Sequence, residues 1–407
     1  MKRFNGIALS VAFCSLASQA ALAQTKIDTL KVQHLNEVIV KGVRAAKEAP
    51  YAVANIRKSE LKQFSCTGQE LPFLLSRTPG ILAWSENGIG TGTTYMRIRG
   101  AAGSRINVTL DGVALNSPED QTVFWANMNS YSSLLGSIQV QRGVGSSTNG
   151  DGAFGGSISM ATAAPSLTPT AEVTGSFGSY NTYHTGASFS TGLLGKHLIF
   201  DGAYHETATD GYVDGTAGRS GSYYGGLTWL GDNFKVSYKN IGNFEKTGQA
   251  WNGVLGGDYN SNFTLLQDGI RTYKDMYKAG LDKFNVLTGD MVRNDKGDYT
   301  ITPYTLRDGS KWDKTTDNFY QNHNILSATW TPGSHWSHSL SLHYTYGYGY
   351  YKEFKNNAKF AKFGLIYKDA EGNKVKKSDF IRKKGLTQHT YGMVYNTNYK
   401  DEHWDVI

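Results

Sequence analysis

From Trp336 the chain alternates with period two: Trp336, His338, Leu340, Leu342, Tyr344, Tyr346, Tyr348 and Tyr350 take the even positions, and Ser337, Ser339, Ser341, His343, Thr345, Gly347 and Gly349 the odd ones. Successive side chains of a strand point to opposite faces, so this segment has one large, mostly aromatic face and one small polar face. Strands of water-soluble sandwiches have a mode near ~5 residues, and this alternation runs about three times as long. Such a strand crosses a bilayer when tilted, lipid on its aromatic side and a polar lumen on the other.

Noisier alternation occupies 171–179, 181–190, 197–206, 222–230, 233–242, 322–331 and 387–399, which gives about eight strands in all. Tight connections fall at 192–196, 231–233, 332–334 and 400–402. Long ones fall at 207–221, 243–320 and 352–386. Short turns on one side and long loops on the other are the outer-membrane pattern, with the long loops outside the cell. Composition agrees: 47 Gly, 25 Tyr, 18 Phe and 8 Trp stand against 8 Pro, and the mean hydropathy is only −0.41. Barrels hide their apolar residues at alternate positions, where an average misses them.

The N-terminus reads as an export signal over residues 1–23, with Lys2 and Arg3, an apolar run over 7–16, and the small-residue site Ala21-Leu22-Ala23. Past it there is no run of 18 apolar residues, so a membrane crossing has to be made by strands. Removal of the signal, with Cys14, leaves only Cys66, which therefore has no intramolecular partner and is expected to be a small buried hydrophobe. The net charge of +7 is modest, and its cations look scattered among Gly, Asn and Tyr, which argues against nucleic acid as a partner.

Three zones follow the signal: a leader over 24–49, a compact region over 50–164, and the strand-rich region over 170–407. The compact region combines a helical pattern over 59–76, carrying Leu61, Phe64, Leu71, Leu74 and Leu75, with β-prone runs at 106–110 and 137–140. That predicts an α+β domain. Leu35, Asn36, Glu37, Val38, Ile39 and Val40 form a β-prone hexapeptide in the polar leader, suited either to pairing with a partner's sheet or to a strand of the chain's own. Asp111-Gly112 after a β run is a turn signal. Gly143, Gly145, Gly150, Gly152, Gly155 and Gly156 allow tight backbone approaches.

Four segments in order then carry a family resemblance: the hexapeptide at 35–40; Leu74-Leu75-Ser76-Arg77-Thr78-Pro79-Gly80-Ile81; Arg97-Ile98-Arg99-Gly100 with Leu110-Asp111-Gly112-Val113; and Ser137-Ile138-Gln139-Val140-Gln141-Arg142-Gly143 with the glycine-rich 150–157. In these the chain resembles the TonB-dependent outer-membrane receptors. The resemblance implies an α+β plug domain followed by an antiparallel transmembrane β-barrel, in the outer membrane of a Gram-negative cell and in contact with its lipid. It implies that Leu35 to Val40 are gripped by TonB, which works with ExbB and ExbD. It implies that Arg97, Arg99 and Arg142 reach lumen carboxylates, and that Asp111, Gly112, Gly143, Gly155 and Gly156 shape plug turns. It implies a transporter with no catalytic residue, no resident metal and no intrinsic cofactor, whose small-molecule cargo is an iron-siderophore, haem or cobalamin. The short leader disfavours the glycan importers and the signalling receptors of the family. An eight-stranded barrel has no room for a separate domain, whereas plugged transporters use roughly 22 strands. The wall is therefore expected to be only partial, an open sheet beside the plug.

Other motifs fail on context. Gly150-Asp151-Gly152-Ala153-Phe154-Gly155 spells a dinucleotide fingerprint, but the residues after it read as a strand and not a helix, and Asp151 stands where a phosphate-binding loop needs Lys. No zinc-protease, Cys-x-x-Cys or nucleophile-elbow motif occurs. His184, His197, His205 and His343 are candidates to face the lumen and touch a metal chelate or haem. A secreted β-rich adhesin or carbohydrate-binding protein, using Tyr and Trp for stacking, is the alternative from another class.

Overall fold

The computed structural model describes residues 44–45, 50, 52–144, 153–251, 253, 265 and 269–406. The signal segment, the hexapeptide at 35–40, and Gly145, Gly150 and Gly152 lie outside the described residues.

In the compact region β1 (Ala52–Arg57) runs directly into α1 (Lys58–Ser65), and α2 (Leu71–Leu75) follows after a turn. The pattern expected as one helix over 59–76 is thus two. Pro72 has no N–H to give a preceding turn, so it sits at the start of α2, and Gly68 takes φ +70 in the turn between them. The apolar face survives the break, with Leu61, Phe64, Leu71, Leu74 and Leu75 all buried. Cys66 closes α1 on the side away from that face and is exposed, which corrects the expectation of a buried thiol.

β2 (Ile81–Ser85) and β3 (Thr94–Ile98) form a hairpin. β4 (Ile106–Leu110) and β5 (Val113–Ala114) are joined by Asp111 at φ +50 and Gly112 at φ +84. Two consecutive positive φ values match the right-handed twist of the flanking strands, which is why Asp-Gly serves here. α3 (Tyr131–Leu134) leads to β6 (Leu135–Arg142), and β7 (Gly156–Thr162) completes a five-stranded sheet in the order β1-β6-β7-β4-β5, in which only β4 and β7 are parallel. One face, with Val108, Leu110, Ile138, Val140, Ile158 and Met160, packs under the helices. The same apolar cluster takes in Ile241 and Ile325 from the second part of the chain, so the two parts share a core.

That second part is a nine-stranded antiparallel wall. In chain order it holds β8 (Thr170–Phe177), β9 (Tyr183–Ser190), β10 (Leu198–Thr209), β11 (Gly218–Leu230) and β12 (Phe234–Gly248). A long connection carries α4 (Tyr273–Lys278) and the hairpin of β13 (Gly289–Arg293) with β14 (Tyr299–Pro303). The wall resumes with β15 (Thr316–Trp330) and β16 (Trp336–Lys359). A tip formed by β17 (Tyr367–Lys368) and β18 (Lys374–Val375) precedes β19 (Lys377–Lys400) and the two-residue β20 (Asp405–Val406). Each wall strand pairs with its successor in the wall, and the sheet is open, with β8 and β20 at its ends.

The eight long strands are those read from the alternation, and β16 faces as expected: Leu342, Tyr344 and Tyr348 are exposed while Ser341 and Thr345 are buried. At the long-loop end the strands outrun the pattern, since β12 reaches Gly248, β16 reaches Lys359 and β19 begins at Lys377. Alternation in hydrophobicity stops where the outer face leaves its apolar surroundings, but the backbone ladder continues through polar residues. At the short-turn end Trp229, Trp330 and Trp336 are exposed, with His197 stacked on Trp229 and His338 stacked on the other two, an aromatic band of the kind found at bilayer interfaces.

Candidate functional site

Plug and wall meet across a polar seam centred on the Asp-Gly turn. The Asp111 side chain is buried; its Oδ1 accepts the Thr162 N–H at 2.9 Å, and its Oδ2 accepts the Thr162 hydroxyl at 2.9 Å and Lys239 Nζ at 2.7 Å. Lys239 sits on the lumen face of β12 with Lys235, Ser237 and Ile241, all buried, while Tyr238 between them points outward. A buried ammonium needs a fixed counter-charge, and the turn supplies it. The sequence reading had assigned Asp111 only its turn role and missed Lys239. The available signal was a lysine on the inner register of an alternating strand.

Further bonds cross the seam, among them Asn243 Nδ2 to the Tyr131 hydroxyl at 2.9 Å, the Thr93 hydroxyl to Gln249 Oε1 at 2.8 Å, and Lys62 Nζ to Glu172 Oε1 at 2.7 Å. The last is exposed and contributes little. Arg97 Nη1 donates to the Gly100 carbonyl at 3.1 Å and Arg142 Nη1 to the Pro79 carbonyl at 2.8 Å, both inside the plug. Arg99, at φ +49, donates its backbone N–H to Gly80. None of the three bonds a wall carboxylate among the described residues. Among the described residues the buried plug–wall ion pair is that of Asp111 with Lys239, a plug carboxylate on a wall cation. Gly143 and Gly156 both have positive φ, and Gly155 packs so closely that a Cβ would fall 2.4 Å from that of Ala101.

Behind the seam, Glu70 is fully buried at the start of α2 and accepts a bond from Asn129 Nδ2 at 2.8 Å. Burial pushes its carboxyl up to about 8. Glu86 accepts the Tyr95 hydroxyl at 2.6 Å and the Ala250 N–H at 2.9 Å, and burial raises its carboxyl as well.

On the long-loop side a cavity of about 630 Å³ opens between the 248–316 connection and the extended ends of β16 and β19, lined by Trp251, Tyr304, Tyr351, Phe354, Lys355 and Arg382 among others. That is the usual size for a small-molecule site. Trp251 meets Tyr351 edge-on at 5.5 Å, and Tyr304 stacks on Phe354 at 5.1 Å. At its floor the buried Glu353 accepts Arg382 Nε at 2.6 Å and pairs with Lys355 Nζ at 2.6 Å. Arg382 also reaches the Tyr351 hydroxyl at 3.1 Å and lies over that ring. The carboxylate fixes both cations in place but cannot neutralise both, so flat rings and a residual positive charge face the cavity. The sequence places most of this lining in the two long connections 243–320 and 352–386, and nothing in it shows that they meet.

His184 and His205 both face the plug, buried and stacked with ring centroids 5.7 Å apart. The lumen-facing His343 is half-buried, and His197 stands at the other end of the wall, 2.6 Å from the Leu230 carbonyl. None of these lines the cavity. Among the described residues no group of three or more His, Cys, Asp or Glu is placed to hold a metal ion.

Residues 45–157 match the family model for the TonB-dependent Receptor Plug Domain. No curated protein matches in sequence. Among solved structures the fold is similar to the ferric-catecholate import receptor Fiu from E. coli K12, at 12% identity and a TM-score of 0.59 over 88% of this chain and 47% of that one. It is also similar to the siderophore receptor PirA from Acinetobacter baumannii, at 15% identity and 0.56 over 86% and 46%, and to the ferric yersiniabactin uptake receptor FyuA from Yersinia pestis, at 13% and 0.53 over 89% and 52%. The chain spans about half the length of these proteins. The chain thus carries a segment matching the TonB-dependent receptor plug domain, packed on a wall whose fold is similar to that of these receptors.

Proposed function

We propose that this chain is the plug-bearing part of an energised outer-membrane importer of iron chelates. The observation that carries the reading is the cavity of rings and fixed cations at the loop end of a wall whose lumen face holds a plug. Such a site binds and orients a small molecule, and nothing in it calls for chemistry on the cargo. The solved structures of similar fold include siderophore receptors, which favours an iron-siderophore over haem or cobalamin.

Transport in this reading is a change between two plug states. Cargo binding at the cavity can signal only if it favours one plug arrangement over the other. The seam through Asp111 and Lys239 is the contact to be broken when the plug moves. Residues 35–40 are the segment TonB, with ExbB and ExbD, would pull on, and residues 1–23 are the export signal. Ile39→Pro removes a donor from that segment and blocks β pairing.

The test is uptake of radiolabelled ferric siderophores, haem and cobalamin by a deletion strain carrying the complete receptor or its Ile39→Pro variant. The expected result is energised uptake of an iron chelate that Ile39→Pro abolishes while surface binding persists. Failure to take up any of the three, or an unchanged rate in the variant, overturns the reading. Heat-modifiable migration in detergent separates it from the secreted carbohydrate-binding alternative.

A further inference from the structure

Cations that look scattered along the sequence are in fact concentrated in one place. Residues 352–384 contain eleven Lys and Arg against four Asp and Glu, a net +7 that equals the net charge of the entire chain. They form a two-stranded arm. The pairing of β16 with β15 ends at Lys352, and β16 and β19 continue as a hairpin on their own through Lys359 and Lys377 to the tip. At ~3.3 Å per residue, the paired part alone carries the tip roughly 25 Å past the last contact with β15.

At three positions the registers within the arm oppose like charges. Lys352 faces Lys383, Lys359 faces Lys377, and Lys368 faces Lys374, all six exposed. Like charges directly across a strand pair destabilise it. Lys359, Lys368, Lys374 and Lys377 make no ion pair among the described residues, whereas three of the arm's four acids, all but Glu371, are already engaged: Asp369 with the Asn373 N–H, Asp379 with the Asn357 N–H, and Glu353 at the cavity floor. The hairpin therefore carries a repulsion that its own fold does not offset, and an outside anion would offset it. At its base lies the ring-lined cavity with Arg382 and Lys355.

We infer that the 352–384 arm is an electrostatic collector, and that the cargo it delivers to the cavity is a net-negative chelate bearing aromatic rings. This rests on the receptor reading above. A concentrated positive field raises the association rate of an anion and leaves a neutral ligand unaffected. The rings of Trp251, Tyr304, Tyr351 and Phe354 then supply stacking surface, and Arg382 supplies a planar donor.

The test is stopped-flow binding to outer-membrane vesicles bearing the complete receptor. The probes are a trianionic ferric tris(catecholate) and a neutral ferric tris(hydroxamate), each measured from low to high NaCl. The variant is Lys374→Glu with Lys377→Glu. Each substitution converts an opposed Lys pair into a Lys–Glu pair, so the hairpin is favoured while the arm loses most of its charge. The expected result is an association rate for the anionic chelate that falls about tenfold at low salt, a flattened salt dependence, and a dissociation rate within about twofold of the parent, with the neutral chelate unaffected. Equal effects on both chelates, or an anionic rate indifferent to charge and salt, overturn the inference. If the neutral chelate binds and the anionic one does not, the collector fails but the receptor reading stands. If neither binds, the receptor reading fails with it. If the variant instead loses binding to vesicles of phosphorylated glycolipid while chelate rates hold, the arm serves the membrane surface and the inference is overturned.

Discussion

Lys239 Nζ of the wall lies 2.7 Å from Asp111 Oδ2 of the plug, and both side chains are almost completely buried. Replacing Lys239 with Met leaves a carboxylate buried without a counter-charge and should destabilise the plug–wall assembly by about 3–5 kcal/mol. Adding Asp111→Asn should recover much of that loss, because the orphaned charge is gone. Urea unfolding of the two single variants and the double variant in detergent checks this, and simple additivity would refute a direct pair.

Gly155→Ala places a methyl group 2.4 Å from the Ala101 Cβ and 2.9 Å from the Arg105 carbonyl. Backbone on one side leaves little room to relax, so the plug should lose about 1–3 kcal/mol. A lowered thermal midpoint with unchanged strand content by circular dichroism is the expected readout.

Glu70 should give the plug a stability that falls as pH rises. Its carboxyl is held at about 8 in the fold, against 4.5 for an ordinary glutamate. Below pH 4.5 both folded and unfolded states are protonated. Between 4.5 and 8 only the unfolded state releases the proton, so the folded state is progressively disfavoured up to pH 8. Glu86, raised in the same direction, adds to the slope. Glu70→Gln should flatten the dependence of the denaturation midpoint between pH 5 and 8, and an unchanged slope would assign it elsewhere.

Trp251→Ala removes the ring set edge-on to Tyr351 at the cavity. Loss of a stacking surface of that size should weaken chelate affinity by roughly tenfold, with little effect on folding. Equilibrium fluorescence titration checks it.

The sequence by itself determined the wall and the outline of the plug. Alternation from Trp336 to Tyr350 fixes which face of β16 is inward, because side chains on a strand have no choice but to alternate. Asp111-Gly112 fixes its turn, because two positive φ values in succession exclude most residues. These are local constraints, and local constraints are written in neighbouring residues. Only the tertiary structure decided what Asp111 pairs with, since Lys239 is 128 positions away and nothing near either residue names the other. It also showed that Arg97, Arg99 and Arg142 make no bond to the described part of the wall, and that one helical pattern is two helices. The cavity was likewise out of reach, because Trp251, Tyr304, Tyr351 and Arg382 come from separate segments that meet only once the strands are in register. The charge of the arm was present in the composition all along, but its force depends on Lys359 facing Lys377 and Lys368 facing Lys374, and register is a property of the folded pair.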